Sequence, residues 1–188
     1  MDTSQARRAM IDRQLRPEAV TDSAVLAAMG SVAREDHVPA EAGAFAYFDR
    51  PITLANGRSM MPPAALGRLL SELAPRAGET ALVVGGGSGY AAALLEAIGL
   101  SVTSIDGPDA GEGGLVDLVL IDGAVDDIPQ AFVDRLVDGG RLATALRVGG
   151  VSRLVVGRAA AGRLGLRTIV DADVAPLPQF SRPPIFTF

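Results

Sequence analysis

Gly85, Gly87 and Gly89 fall at alternate positions, with Gly86 between the first two, inside "TALVVGGGSGYAAALLEAIG" (residues 80–99). There an apolar strand run turns into an alanine-rich helix. A strand–GxGxG–helix unit brings backbone N–H groups and a helix N-terminus up to a ligand that side chains would otherwise exclude. That is a nucleotide-type cradle, and the spacing does not say which nucleotide. Two acids end neighbouring strand runs, Asp106 in "SVTSID" and Asp122 in "LVDLVLID". Asp122 falls at the carboxyl end of a central strand, where ligands bind in open α/β sheets; the alternative is a cap for the segment that follows.

What the chain lacks narrows the chemistry. All 17 basic residues are arginine, which excludes Schiff-base chemistry and a P-loop lysine on this chain. There is no cysteine and one histidine, His37, so disulfides, thiolate nucleophiles and Cys/His zinc sites are excluded and no metal is expected. The net charge is −5 without a basic patch in the sequence, which argues against nucleic acid as a partner. The N-terminal "MDTSQARRAMIDRQLRP" lacks the apolar core of a secretory signal, and no apolar run approaches the ~20 residues of a membrane span. A cytoplasmic protein with no membrane partner is the expectation.

The 188 residues suit one domain, with 1–75 as a helical cap and substrate-side segment and 76–188 as the core. In the cap, residues 4–16 read as a helix stopped by Pro17. Thr21 or Asp22 caps a second helix whose inward face is Val25, Leu26 and Met29. Residues 34–63 read as loop with one short helical turn. Pro63 then begins a helix with Leu66, Leu69, Leu70 and Leu73 at 3–4 spacing. In the core, strands at 81–85, 101–106, 115–122 and 140–146 alternate with helices at 89–98 and 128–138. "SRLVVGR" and "GLRTIVD" form an antiparallel hairpin across "AAAGR". Strands alternating with helices imply a mainly parallel α/β sheet. The closing "PQFSRPPIFTF" is expected to pack back onto the domain.

Several of these stretches together resemble one family. "RRAMIDRQLRPEAVTDSAVLAAMGSVAREDHVPAEAGAFAYFDRPI" is similar to the N-terminal region of protein-L-isoaspartate O-methyltransferases, with its D-x-x-V-L-x-A-M, R-E-x-F-V-P and A-Y-x-D-x-P-L features. "GRSMMPPAALGRLLSEL" lies where the family has G-Q-T-I-S-Q-P and the following helix. "ALVVGGGSGYAAALLEAIG" matches the family's glycine motif, and "VDLVLIDGAVDDIPQAFVDRLVDGGRLATAL" its next strand–helix–strand segment. The resemblance implies a Rossmann-like class I methyltransferase sheet with S-adenosyl-L-methionine as cofactor. It also implies isoaspartyl-containing proteins or peptides as substrates, methylated on the free carboxylate as a step of protein repair. Gly85, Gly87, Gly89, Asp106 and Asp122 are then the cofactor-side residues, Ser59 the candidate catalytic side chain and Met61 the substrate-side residue. The oligomeric state is not readable.

Four departures bear on activity. Val83 stands where the family has an acid two residues before the first glycine. Met61 replaces the serine of T-I-S-Q-P and Pro62 the neighbouring glutamine, while Ser59 keeps a hydroxyl at the threonine position; the lost hydroxyl removes a hydrogen bond worth about 1–3 kcal/mol. Asp122 falls within the family's apolar V-T-A-A. The largest departure is a deletion: residues 107–114 lead straight from one strand to the next, too short for a helix and a strand. The expected sheet therefore misses one edge strand and its helix, and the adenine pocket loses its closing turn. Asp106 is either the acid that holds ribose hydroxyls or a remnant of that lost turn. Cofactor binding is expected to be weak or lost, and activity reduced or lost. A non-catalytic scaffold and a methyltransferase with a different acceptor are the competing readings.

Overall fold

The computed structural model describes residues 3–181. Along the chain come α1 (Thr3–Met10), a π-helical turn (Ile11–Leu15), α2 (Ser23–Ser31), β1 (Ile52–Thr53), β2 (Ser59–Met60) and α3 (Pro63–Leu73). There follow β3 (Thr80–Gly85), α4 (Tyr90–Ile98), β4 (Ser101–Ile105), β5 (Val116–Val125), α5 (Gln130–Asp134), β6 (Leu136–Val148), β7 (Val151–Ala160) and β8 (Arg163–Asp171). Strands β3–β8 form one sheet in the order β4-β3-β5-β6-β7-β8. The pairs from β4 to β6 are parallel, and β7 and β8 add antiparallel, as the hairpin pattern predicts.

The short connection has its expected consequence. No helix or paired strand lies between Asp106 and Leu115, and β4 is left as the sheet edge. Its residues are exposed or half-buried, whereas β3 beside it and β5 beyond that are mostly buried. An α/β sheet tolerates this loss because the outermost strand supports no other strand.

The two faces of the sheet carry different covers. One packs against α2, α3, α4 and the cap through Val25, Met29, Leu66, Leu70, Leu94 and Leu120. Asp22 caps α2 by accepting from the amides of Ala24 and Val25, an interaction worth about 1 kcal/mol. The opposite face is covered by α5 and by the C-terminal segment, whose Leu177 and Phe180 join Val119, Ile121 and Phe132. Backbone bonds from Ala124 N to Ala175 O and from Leu177 N to Ala124 O stitch that segment to the end of β5. The tail thus packs back as expected as far as Ser181; the rest of "PQFSRPPIFTF" lies outside the described residues.

Two readings need correction. The helix expected at 128–138 is only Gln130–Asp134, because Val116 pairs with Leu136 and draws that residue into β6. Gly139, at φ +80°, turns the chain before the main run of β6. The segment 34–63 holds more structure than one helical turn: two 3-10 turns (Arg34–His37 and Ala40–Phe45) and the β1–β2 ribbon. Its irregular spacing hides them, since each is too short to show a period.

Candidate functional site

The turn after β3 is built by glycines that no other residue replaces cheaply. Gly85, Gly86, Gly87 and Gly89 all take positive φ, between +68° and +78°. L-residues with a Cβ adopt this region at a cost. Gly89 is the residue before α4, so the helix N-terminus opens directly onto the turn. His37 reaches it from the cap: its Nδ1 lies 3.0 Å from Ser88 O and its ring meets Tyr90 edge-on at 5.4 Å. An open groove of about 300 Å³ runs between cap and turn, bounded by His37, Pro39, Leu54, Asn56, Gly87 and Ser88.

Strand register places both predicted acids beside this turn. Gly85 pairs with Asp122 across β3 and β5, and Asp106 follows β4 directly. Their surroundings differ. The Asp106 side chain is largely exposed and held by Arg58, whose Nη1 donates to Asp106 Oδ1 at 2.6 Å. Arg58 and Asn56 lie against Gly87 on the side where a Cβ would project. Asp122 is buried, with one carboxylate oxygen against Gly86 and the other, Oδ1, without a hydrogen-bond partner. Burial pushes its carboxyl up to about 6, with the Arg34 cation pulling the other way.

Arg34 is a residue of the candidate site that sequence reasoning missed. Its side chain is fully buried in the cap, Nε donating to Ala46 O at 2.7 Å and Nη2 to Met61 O at 2.5 Å. Its guanidinium carbon lies 5.0 Å from the Tyr90 ring centroid. The Arg34 and Tyr90 side chains interact, but Arg34 Nη1 and Tyr90 Oη do not meet the geometry of a well-formed hydrogen bond. Burial, opposed by Arg34, pushes the Tyr90 phenol up to about 12, so it stays a neutral donor. Arg34, Tyr90 and Asp122 therefore form a polar cluster with unfilled valences behind the glycine turn. Such groups are rare in native interiors unless a ligand or water completes them. In the sequence, Arg34 belongs to "REDH" and reads as surface charge; only its place in the R-E-x-F-V-P feature sets it apart.

Ser59, the candidate catalytic residue, and Met61, the substrate-side residue, join the acids only through arginines: Arg58, next to Ser59, holds Asp106, and Arg34 holds the Met61 carbonyl. Ser59 is half-buried in the β1–β2 ribbon, its Oγ 3.4 Å from Ile52 O. The Met61 side chain is buried, and its carbonyl is the acceptor for Arg34. Val83 is buried on the same sheet face as Asp122. Leu177, also missed, fills the space beside Gly85 and Gly123, where any added Cβ would strike it. Its signal in the sequence is only the apolar character of "VAPLPQF". Among the described residues no group of three or more His, Asp or Glu side chains is placed to hold a metal ion. No described helix is long and apolar enough to cross a membrane.

A glycine cradle at the carboxyl end of a central parallel strand, flanked by acids from its two neighbours, defines a Rossmann-like α/β protein of the methyltransferase type. The family model for protein-L-isoaspartate(D-aspartate) O-methyltransferase matches residues 5–107, ending where the shortened connection begins. A protein-L-isoaspartate O-methyltransferase from Methylorubrum populi is 34% identical over 167 residues, spanning 74% of this chain and 79% of that protein. One from Koribacter versatilis is 31% identical, spanning 91% of this chain and 90% of that protein. The chain belongs to the protein-L-isoaspartate O-methyltransferase family. A solved Plasmodium falciparum chain, assigned to the same enzyme and in complex with S-adenosyl-L-homocysteine, superposes with a TM-score of 0.75 at 16% identity over 95% of this chain and 99% of that chain. Another solved protein-L-isoaspartate O-methyltransferase gives 0.76 at 15% identity over 93% and 67%. At these identities the superpositions speak for the fold.

Proposed function

We propose that this chain transfers the methyl group of S-adenosylmethionine to the free carboxylate of isoaspartyl residues, with turnover well below that of longer relatives. The observation that carries the reading is the set of four positive-φ glycines that ends β3 and forms the turn after it, with Gly85 in register with Asp122. S-adenosylmethionine, when bound, supplies a methyl group on an already electrophilic sulfonium. The acceptor carboxylate is ionised at pH 7, so the protein needs no general base. Its work is to bind, to orient and to exclude water. In this reading the Gly85–Gly89 amides and Asp122 face the cofactor's amino-acid end, and Asp106 its ribose hydroxyls. Ser59 stands on the acceptor side with Met61.

Low turnover follows from three features. Arg58 occupies one oxygen of Asp106 and competes with a ribose hydroxyl for that carboxylate. The deleted connection leaves the adenine without its closing turn, forfeiting apolar contact and an acceptor worth about 1 kcal/mol or more each. Met61 offers no hydrogen bond to an incoming carboxylate. The test is calorimetric titration with S-adenosylhomocysteine, joined to transfer of labelled methyl onto an isoaspartyl peptide with its aspartyl twin as control. Weak binding with slow, isoaspartyl-selective labelling is expected. Low-micromolar or tighter binding with robust labelling overturns the predicted weakness. Binding without labelling of either peptide points to a different acceptor, and neither binding nor labelling to a scaffold.

A further inference from the structure

At the opposite end of the parallel strands from the glycine turn lies a second cavity, of about 380 Å³, among α3, β6, β7 and β8. Arg76, Arg141, Arg158 and Arg167 line it, against a single acid, Glu72. In a chain of net charge −5 this concentration of cations is out of proportion. Two of the four are engaged. Arg141 donates to Leu73 O and grips Glu79 with both terminal nitrogens, and Arg167 shares Glu72 with Arg68. The side chains of Arg76 and Arg158 have no ion pair or hydrogen bond among the described residues.

The register sets two cations side by side. Arg141 and Arg158 are direct partners across the antiparallel β6–β7 pair. Like charges facing each other across strands destabilise a sheet unless something neutralises them; Glu79 does so for Arg141, which leaves the charge of Arg158 to be met. Gly165, the direct partner of Arg158 on β8, adds an independent sign. It has no positive φ, and a Cβ there would meet nothing closer than Arg158 O at 3.9 Å. Neither backbone conformation nor packing calls for glycine at that position. Gly157 is different: a Cβ there would run into Leu164 at 2.8 Å. Strand glycines often mark a bulge, a bend or a close approach of a ligand or another backbone, and β8 pairs without a register shift at Gly165.

We infer that this groove binds a phosphoryl anion. Three elements contribute arginines to its lining: Arg76 follows α3, Arg158 lies on β7 and Arg167 on β8. A phosphoryl group carries more acceptor oxygens than a carboxylate and close to two charges, so it meets forks from several arginines and neutralises more than one of them. The volume falls near the lower end of the ~300–1,000 Å³ range of small-molecule sites, enough for a diphosphate and a little more. The site is separate from the glycine turn, and the inference does not rest on the methyltransferase reading.

The probe is inorganic pyrophosphate, titrated into the full chain by calorimetry and followed by thermal melting, with sodium chloride and sodium acetate at matched ionic strength as controls. One-to-one binding and a melting point raised by several degrees over both controls are expected. Arg158→Gln should weaken binding at least tenfold. Gly165→Val, which suits a strand and fills the groove floor, should abolish binding. If that variant does not fold, Arg76→Gln, expected to weaken binding at least tenfold, takes its place. Sedimentation with phosphatidylglycerol vesicles separates a lipid headgroup from a soluble phosphate as the source. A shift that salt alone reproduces, or pyrophosphate binding undiminished in Arg158→Gln, overturns the inference.

Discussion

Asp122→Asn is expected to stabilise the protein at neutral pH and to weaken its hold on cofactor. The Asp122 carboxyl is buried beneath Gly86 with Oδ1 unpartnered, and its pKa rises from 3.8 to about 6. The folded chain therefore keeps the proton up to about pH 6, while the unfolded chain releases it near 3.8. Between those values the folded state binds more protons, so stability falls as pH rises through that window and stays low above it. The rise corresponds to about 3 kcal/mol at pH 8. Asparagine keeps the shape and removes the ionisation, but its buried amide also lacks assured partners. The net gain expected from the substitution is then on the order of 2 kcal/mol at pH 8, shrinking toward zero near pH 4. Urea unfolding of both proteins at pH 4.5, 6 and 8 measures it. Glu35, Glu79 and Asp117, whose pKa values are lowered in the fold, contribute an opposite slope at low pH, but equally to both proteins. A variant less stable than the parent at pH 8, or a difference that does not change with pH, refutes the reasoning. S-adenosylhomocysteine titration of the same variant then tests whether the costly charge serves the ligand.

Arg58→Gln should leave stability within about 1 kcal/mol, because the pair it breaks is largely exposed on the Asp106 side. It should also tighten S-adenosylhomocysteine binding several-fold by freeing that carboxylate; weaker binding would mean that Arg58 itself contacts the ligand. Arg34→Met should cost about 3 kcal/mol or more in urea unfolding, since it orphans the Ala46 and Met61 carbonyls and removes the cation nearest Asp122. Loss below 1 kcal/mol would show that the cap does not depend on it. Val83→Glu alone should destabilise, as it sets a second acid on the face that holds Asp122, whereas Val83→Glu with Asp122→Thr should recover stability and bind cofactor at least as well. A double variant no better than the single one would break the link between the two positions.

What was legible in the sequence is what local rules control. The glycine turn, the Asp22 cap, the helix opened by Pro63 and the C-terminal hairpin all depend on residues a few positions apart. So does the missing edge strand, because eight residues from Gly107 to Gly114 cannot hold a helix and a strand. The helix at 128–138 was overdrawn because Phe132, Val133, Leu136 and Val137 suit a helical face, while Leu136 in fact pairs with β5. The site's furnishing is long-range and left little trace. Arg34 meets Met61, Arg58 meets Asp106, and Leu177 reaches Gly85 across tens of residues. Nothing in "REDH" distinguishes an arginine buried to zero exposure from one in water.

The two acid positions are best understood as one. Val83 and Asp122 lie on adjacent parallel strands and face the same side of the sheet, toward α4 and the cap. Val83 pairs with Leu120, and Gly85 pairs with Asp122, so a carboxylate on β5 at 122 stands one alternation nearer the glycine turn than one on β3 at 83. Both could not be ionised there together, because two carboxylates sharing a dry site repel each other strongly. In this chain the acid stands on β5, buried beneath Gly86, and Arg34 offsets only part of the cost of its charge. An acid at 83 beside it would raise that cost further. A buried carboxyl that costs the protein stability at the pH where a carboxylate acceptor is ionised, with Oδ1 unpartnered inside the glycine cradle, is a group that a ligand would complete. That is the physical ground for the proposal that Asp122 serves the ligand rather than the scaffold.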